Sequence, residues 1–196
     1  MIEKHTANVP DFVALRNEFP VTRSWIYLDV ANKGPLPNCA QEAIQDFLRE
    51  INEFGVREAF SKTRVEEVRS SLACLLGVAP QTIAFIKNTS EGLNIAAQAV
   101  DLKAGDNVVQ ADMDHPNQVY AWKHLEGRGV ELRWVRSREG RLPTDTFIEL
   151  MDERTRVVAV SYVAFRNGCR VDLPALCAAC RERGIVSVVD GIQALG

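Results

Sequence analysis

Long apolar runs are missing from this 196-residue chain. Nothing approaches the roughly 20 residues that cross a bilayer, so a membrane-spanning protein is not expected. Charge of one sign is missing too. With 23 Lys and Arg against 26 Asp and Glu, the net charge of −3 leaves no basic footprint for nucleic acid or anionic lipid. The start, Met1 to His5, has no apolar segment of the kind a secretory leader carries. Five cysteines is an odd number, set in helical or apolar surroundings, which suits a reducing cytoplasm better than a disulfide framework. Cys177-x-x-Cys180 has no second Cys/His pair at zinc spacing and reads as small-residue packing on a helix. Neither G-x-G-x-x-G nor G-x-x-x-x-G-K-[ST] occurs, which argues against dinucleotide and P-loop nucleotide sites. There is no internal repeat, no low-complexity run and no clear linker.

What is present is rhythm. Pro10–Arg16 reads as a short entry helix, and Asn38–Phe54 as an amphipathic helix with Ala43, Phe47, Ile51 and Phe54 on one side and Gly55 closing it. A second long helix is expected over Arg64–Leu76, with Thr63 and Glu66 as a capping box and Gly77 ending it. From there strands and helices alternate. Strands are expected at 83–86, 107–111, 130–135, 157–160 and 186–189, with helices at 91–100, 117–127, 145–151 and 173–183 between them. That alternation predicts an α/β fold: a mostly parallel sheet flanked by helices, with right-handed crossovers.

Open α/β sheets bind ligands beyond the carboxyl ends of their strands, and three junctions there carry suitable chemistry. Lys87-Asn88-Thr89-Ser90-Glu91 opens a helix with two hydroxyls and a positive dipole end, a ready phosphate site if Glu91 turns away to cap the helix. Asp114-His115-Pro116 places an imidazole at the start of the next helix, where it can stack on a flat ring or move a proton. Val189-Asp190-Gly191-Ile192-Gln193 ends the last strand in a carboxylate able to hold a proton on a heterocyclic nitrogen, with Gln193 in reach of a neighbouring polar atom. Each has a plainer reading taken singly: a Ser/Thr N-cap, a capping histidine, an aspartate closing a turn. Together they suit a flat phosphorylated heterocycle with a basic ring nitrogen. His124 reads as structural and His5 as part of the terminus.

The order Tyr27-Leu28-Asp29, Gly34-Pro35-Leu36-Pro37, Asn88-Thr89-Ser90-Glu91-Gly92-Leu93-Asn94, Asp114-His115 and Val189-Asp190-Gly191-Ile192-Gln193 resembles the class V aminotransferases. These are fold-type I enzymes that use pyridoxal 5′-phosphate, among them cysteine desulfurases, selenocysteine lyases and isopenicillin N epimerase-like proteins. The resemblance implies that Thr89 and Ser90 hold the cofactor phosphate and that His115 stacks on the ring. It implies that Asp190 bonds the pyridinium nitrogen so the ring can act as an electron sink, and that Gln193 bonds the phenolic oxygen. His115 and Asp190 would be the catalytic pair, and Ala31 and Asn32 would lie near the substrate entrance. It further implies an amino-acid or amine substrate, a cytoplasmic homodimer, and no nucleic-acid or membrane partner. The domain plan would be an N-terminal arm with helices over 1–60 and an incomplete cofactor-binding large domain over 61–196.

Two departures shape the expectation. Phe165 stands where desulfurase-like members carry an asparagine, with Asn167 two residues away, which points to the epimerase-like branch. The lysine that anchors the cofactor, the usual substrate-carboxylate arginine and the small C-terminal domain are not in these residues. None of Lys4, Lys33, Lys62, Lys87, Lys103 and Lys123 sits in a matching motif. The expectation is therefore the N-terminal half of a longer enzyme, inactive by itself. A non-catalytic fragment, half of a split assembly, or an unrelated α/β domain binding a phosphorylated metabolite are the alternatives. In the family sheet the 83–86 strand pairs with a late strand absent here, so its backbone groups should lack partners.

Overall fold

A computed structural model describes residues 10–56 and 61–195, which leaves His5 and Lys4 outside the described residues. The chain forms two compact units, one running to Ala84 and one from Phe85.

In the first unit, helix α1 (Phe12–Asn17) is capped by Asp11, whose Oδ1 accepts from the Val13 and Ala14 amides. Helix α2 (Asn38–Phe54) has the bounds expected, and Gly55 ends it at φ 81°, where an L side chain would be strained. Helix α3 (Lys62–Leu76) starts two residues earlier than the sequence suggested. Its cap is Ser61, whose Oγ accepts from the Arg64 amide, and not Thr63 with Glu66. Two hydroxyl residues so close together offer the same local cap, and only the backbone path selects one. Gly77 closes α3 in the left-handed region at φ 65°.

The second unit holds helix α4 (Thr89–Ala99), strand β1 (Asn107–Ala111), helix α5 (Pro116–Lys123), strand β2 (Glu131–Val135), helix α6 (Thr144–Glu149), strand β3 (Thr155–Ser161), helix α7 (Leu173–Glu182) and strand β4 (Val186–Asp190). The sheet is entirely parallel, in the order β2-β1-β3-β4. Of the five expected strands four are present. Residues 83–86 form no strand among the described residues. The segment is apolar enough, but a strand exists only through its partner, and none of the four strands pairs with it.

Alternation along each strand sends side chains to two cores. Val109, Val135, Val158, Val160, Phe147 and Leu176 meet on one face, under α6 and α7. Val108, Val157, Ala159, Leu93, Trp122 and Leu125 meet on the other, under α4 and α5. Trp122 and Phe147 are fully buried, so truncating either to alanine costs about 3–5 kcal/mol. Cys180 is buried in the first of these cores, and burial pushes its thiol up to about 11, so it packs as a neutral apolar group.

Candidate functional site

All four strands run the same way, so their carboxyl ends share one edge, and the chain places its polar chemistry there. Thr89 opens α4 after Ile86 and Lys87. The cap of this helix is Asn88, whose Oδ1 accepts from the Glu91 amide at 2.9 Å. Glu91 returns its carboxylate to the Lys87 amide at 2.8 Å. The pair acts as a capping box, which has two consequences. The Glu91 charge is turned back onto the chain, as its position required. The Thr89 and Ser90 hydroxyls are relieved of capping, and among the described residues neither has a side-chain partner. The first-turn amides and the helix dipole add to them.

Asp190 ends β4 at 7% exposure. Its Oδ1 accepts from the Ile192 amide at 3.0 Å, which fixes the carboxyl across the turn that follows. Among the described residues its Oδ2 has no hydrogen bond. The Asp190 carbonyl accepts from the Tyr162 amide, extending the β3–β4 ladder one residue past Ser161. A groove of about 480 Å³ is lined by Asn88, Thr89, Gly92, Val189, Asp190 and Gly191, among others. The structure thus brings Thr89 and Asp190 into one concavity, whose lining does not include Ser90 or His115. The approach at Gly92 is close: a Cβ there would lie 2.5 Å from the end of the Ile86 side chain. Gln193 is half-buried in the turn beyond Asp190, close by in sequence but off that lining.

His115 occupies the cap position of α5, with Pro116 as first helical residue. Its Nδ1 accepts from the Asn117 amide at 3.3 Å, which assigns the proton of a neutral ring to Nε2. The ring meets Phe165 edge-on, with centroids 4.8 Å apart and planes at 75°. Phe165 had been notable only for its departure from asparagine; here it is a side wall for the imidazole. Asn167 is occupied elsewhere, donating to the Gly140 carbonyl at 2.8 Å and accepting from the Cys169 amide at 3.0 Å.

A second residue escaped the sequence reading. Asp114 is 6% exposed, and its Oδ1 accepts from the Ser161 amide at 2.9 Å. Its Oδ2 is buried and has no partner among the described residues. Burial, more than the like charge of Asp190, pushes the Asp114 carboxyl above the ordinary carboxylate range. Its partner lies 47 residues away in sequence, so no local pattern marks it.

Other candidates fall outside this edge. His124 is exposed at the start of a 3₁₀ turn. Ala31 and Asn32 lie in the first unit, in a turn where Asn32 donates to the Asp29 carboxylate at 2.9 Å. No group of three or more His, Cys, Asp or Glu residues suited to a metal occurs among the described residues, and none of their helices is long and apolar enough to cross a membrane.

Comparison with known proteins adds to the geometry. The model of the aminotransferase class-V family matches residues 26–196. A probable cysteine desulfurase of Methanothermobacter thermautotrophicus is 30% identical over 188 residues, covering 93% of this chain and 47% of that protein. The apo structure of cysteine desulfurase from Thermococcus onnurineus NA1 superposes with a TM-score of 0.83 at 25% identity, over 94% of this chain and 48% of that one. A C-DES variant with glycine covalently linked to its PLP cofactor shares the fold, with a TM-score of 0.82 at 24% identity over 95% of this chain and 50% of that one. The chain spans about half the length of the curated relatives it matches.

Proposed function

The chain belongs to the class V aminotransferase family, and on that footing we propose that it supplies both ends of a pyridoxal 5′-phosphate site in an enzyme acting on an amino acid. The observation that carries this reading is the shared groove: Thr89 at one side, Asp190 at the other, both at the carboxyl edge of a parallel sheet. The residues fit the group. An aromatic phosphate ester needs hydrogen-bond donors at its anionic end, and Thr89, Ser90 and the first-turn amides of α4 have donors to spare. A pyridinium nitrogen needs a fixed anion, and Asp190 has a free carboxylate oxygen on a carboxyl oriented by the Ile192 amide.

When bound, the cofactor supplies an electron sink for the carbanion formed at the amino acid's α-carbon. The protein's part is positional and electrostatic. Thr89 and Ser90 bind the phosphate oxygens. The Asp190 carboxylate holds a proton on the ring nitrogen by a charge-assisted hydrogen bond, and its burial strengthens that bond. Ile86, Leu93 and Val189 give the groove an apolar lining. His115, braced by the edge contact with Phe165, would stack on the ring, and Gln193 would bond the phenolic oxygen.

The cysteine desulfurases among the relatives make cysteine the first substrate to test, with transamination, β-elimination and epimerisation as the reaction classes. The working form is read as a cytoplasmic homodimer with no nucleic-acid or membrane partner. Exposed apolar side chains in the first unit, Trp25, Ile26 and Leu28 among them, support association.

The direct test is a calorimetric titration of the protein with pyridoxal 5′-phosphate and with phosphate-free pyridoxal. Binding of the phosphorylated form should be tighter by at least about tenfold, the order of one good charge-assisted contact. Thr89→Ala with Ser90→Ala should remove most of that difference. Equal affinity for the two ligands would overturn the assignment.

A further inference from the structure

Among the described residues, Asp114 is the one buried ionisable group at this edge to which the proposed function gives no task. It sits at a structural seam. β1 ends at Ala111, and its last partner pair with β3 is Gln110 with Ala159. β3 continues to Ser161, whose amide then has no β1 carbonyl to meet. The Asp114 Oδ1 takes the place of that carbonyl, at 2.9 Å. On the other side of β3, Ser161 is in register with Asp190 of β4. The order across the edge is therefore Asp114, Ser161, Asp190, with strand spacings of about 4.8 Å. The next residue after Asp114 is His115, whose main chain starts α5.

From this geometry we infer that Asp114 is a positioning residue, an uncharged carboxyl group that splices the His115 helix start to the strand ends carrying Asp190. The inference rests on the pyridoxal-phosphate reading only for what it says about the cofactor. Three observations support the uncharged form. Asp114 is 94% buried by its 6% exposure. Its Oδ2 has no donor to stabilise a second negative oxygen among the described residues. The charged group that acts on it is the Asp190 carboxylate of β4, a like charge, while hydrogen bonds from Ser161 and Ala111 favour the ionised form and are outweighed by burial. One neutral and one charged group leave Asp190 as the sole anion at the ring nitrogen.

The consequence is a division of labour within a pair of acids. Asp190 contributes charge and Asp114 contributes geometry. An amide of the same shape should therefore replace Asp114 but not Asp190. Asp114→Asn keeps an oxygen for the Ser161 amide and puts an NH2 where the acid has its OH.

The experiment compares Asp114→Asn and Asp114→Ala in the full protein, with two kinds of readout. Without cofactor, the 13C resonance of the Asp114 carboxyl should report the protonated acid at neutral pH, and the Ser161 amide should exchange with solvent at least about tenfold faster in the alanine variant only, as expected for loss of one net hydrogen bond. With cofactor, the asparagine variant should keep pyridoxal-phosphate affinity within about threefold and leave the visible absorption maximum in place, while the alanine variant loses at least about tenfold. An ionised Asp114 resonance, or an asparagine variant as impaired as alanine, would overturn the inference. So would an alanine variant with wild-type cofactor binding and Ser161 exchange. Should alanine prevent folding, the asparagine variant and the carboxyl resonance decide alone. If wild-type protein binds no pyridoxal phosphate, the proposed function fails, while the carboxyl resonance and Ser161 exchange still judge Asp114.

Discussion

The two edges of the sheet are built from similar residues and finished differently. At the amino edge, Asn107 of β1 faces Thr155 of β3, both buried. Thr155 Oγ1 donates to Asn107 Oδ1 at 2.8 Å, Asn107 Nδ2 donates to Asp152 Oδ1 at 2.8 Å, and Arg133 meets Asp152 Oδ2 at 2.8 Å. The Asp152 carboxyl also accepts from the Arg154 amide. Although desolvation opposes it, the hydrogen bonds from Asn107 and Arg133 hold the Asp152 carboxyl well below the ordinary range. At the carboxyl edge, the Asp114 Oδ2, the Thr89 and Ser90 hydroxyls and one oxygen of Asp190 have no protein partner among the described residues. The contrast teaches where to look for function. A network that satisfies itself holds the fold together; capacity left unsatisfied in a concave place is capacity for a ligand.

Substitutions can break that contrast, and the largest effect belongs at the carboxyl edge. Asp190→Asn should weaken pyridoxal-phosphate binding by about 10- to 100-fold, the range of a lost charge-assisted hydrogen bond, and lower turnover with it. Calorimetry on this chain and steady-state kinetics on an enzyme that also carries the anchoring lysine check this, and near-normal values would remove Asp190 from its role. Next comes the amino edge. Asn107→Ala leaves Thr155 and Asp152 without a shared partner and should cost about 1–3 kcal/mol of stability, read by urea unfolding, with cofactor affinity unchanged. A shift in cofactor affinity there would mean the edges are coupled.

The same edges separate by pH. Asp152 titrates lower folded than unfolded, so its stabilisation is present above the unfolded pKa and fades as pH falls. Asp114 titrates higher folded than unfolded, so its contribution is present in acid and is lost as pH rises through the folded value. Urea midpoints across pH should therefore show Asn107→Ala blunting acid sensitivity and Asp114→Asn blunting alkaline sensitivity. The reverse assignment would contradict both directions. The smallest effect expected is that of Asn88→Ala, which removes the cap of α4 at about 1 kcal/mol and loosens phosphate binding by a few-fold, readable by amide exchange in the first turn.

How much of this was legible in the sequence depended on how local the cause was. Helix α2 was read to the residue because its stripe and Gly55 lie within one segment. β1 was read to the residue because Asn107–Ala111 is flanked by turn signals and buried throughout. Segment 83–86 was misread because pairing, which composition does not encode, makes a strand. The loops of Thr89 and Asp190, which share one groove, and the His115 loop could be singled out because each opens or closes an element in a short motif. Asp114 was passed over beside the more conspicuous His115, since its meaning lies in the Ser161 amide on another strand. Phe165 was noticed as a departure, yet its edge contact with His115 needed coordinates.

The most direct measurement is the 15N shift of the ring nitrogen in labelled pyridoxal 5′-phosphate bound to the protein. With Asp190 as its counter-ion, that nitrogen should keep a pyridinium shift through neutral and mildly alkaline pH, and move to the unprotonated position in Asp190→Asn. A bound cofactor whose ring nitrogen is unprotonated in the wild-type protein, or equally protonated in the variant, would contradict the account.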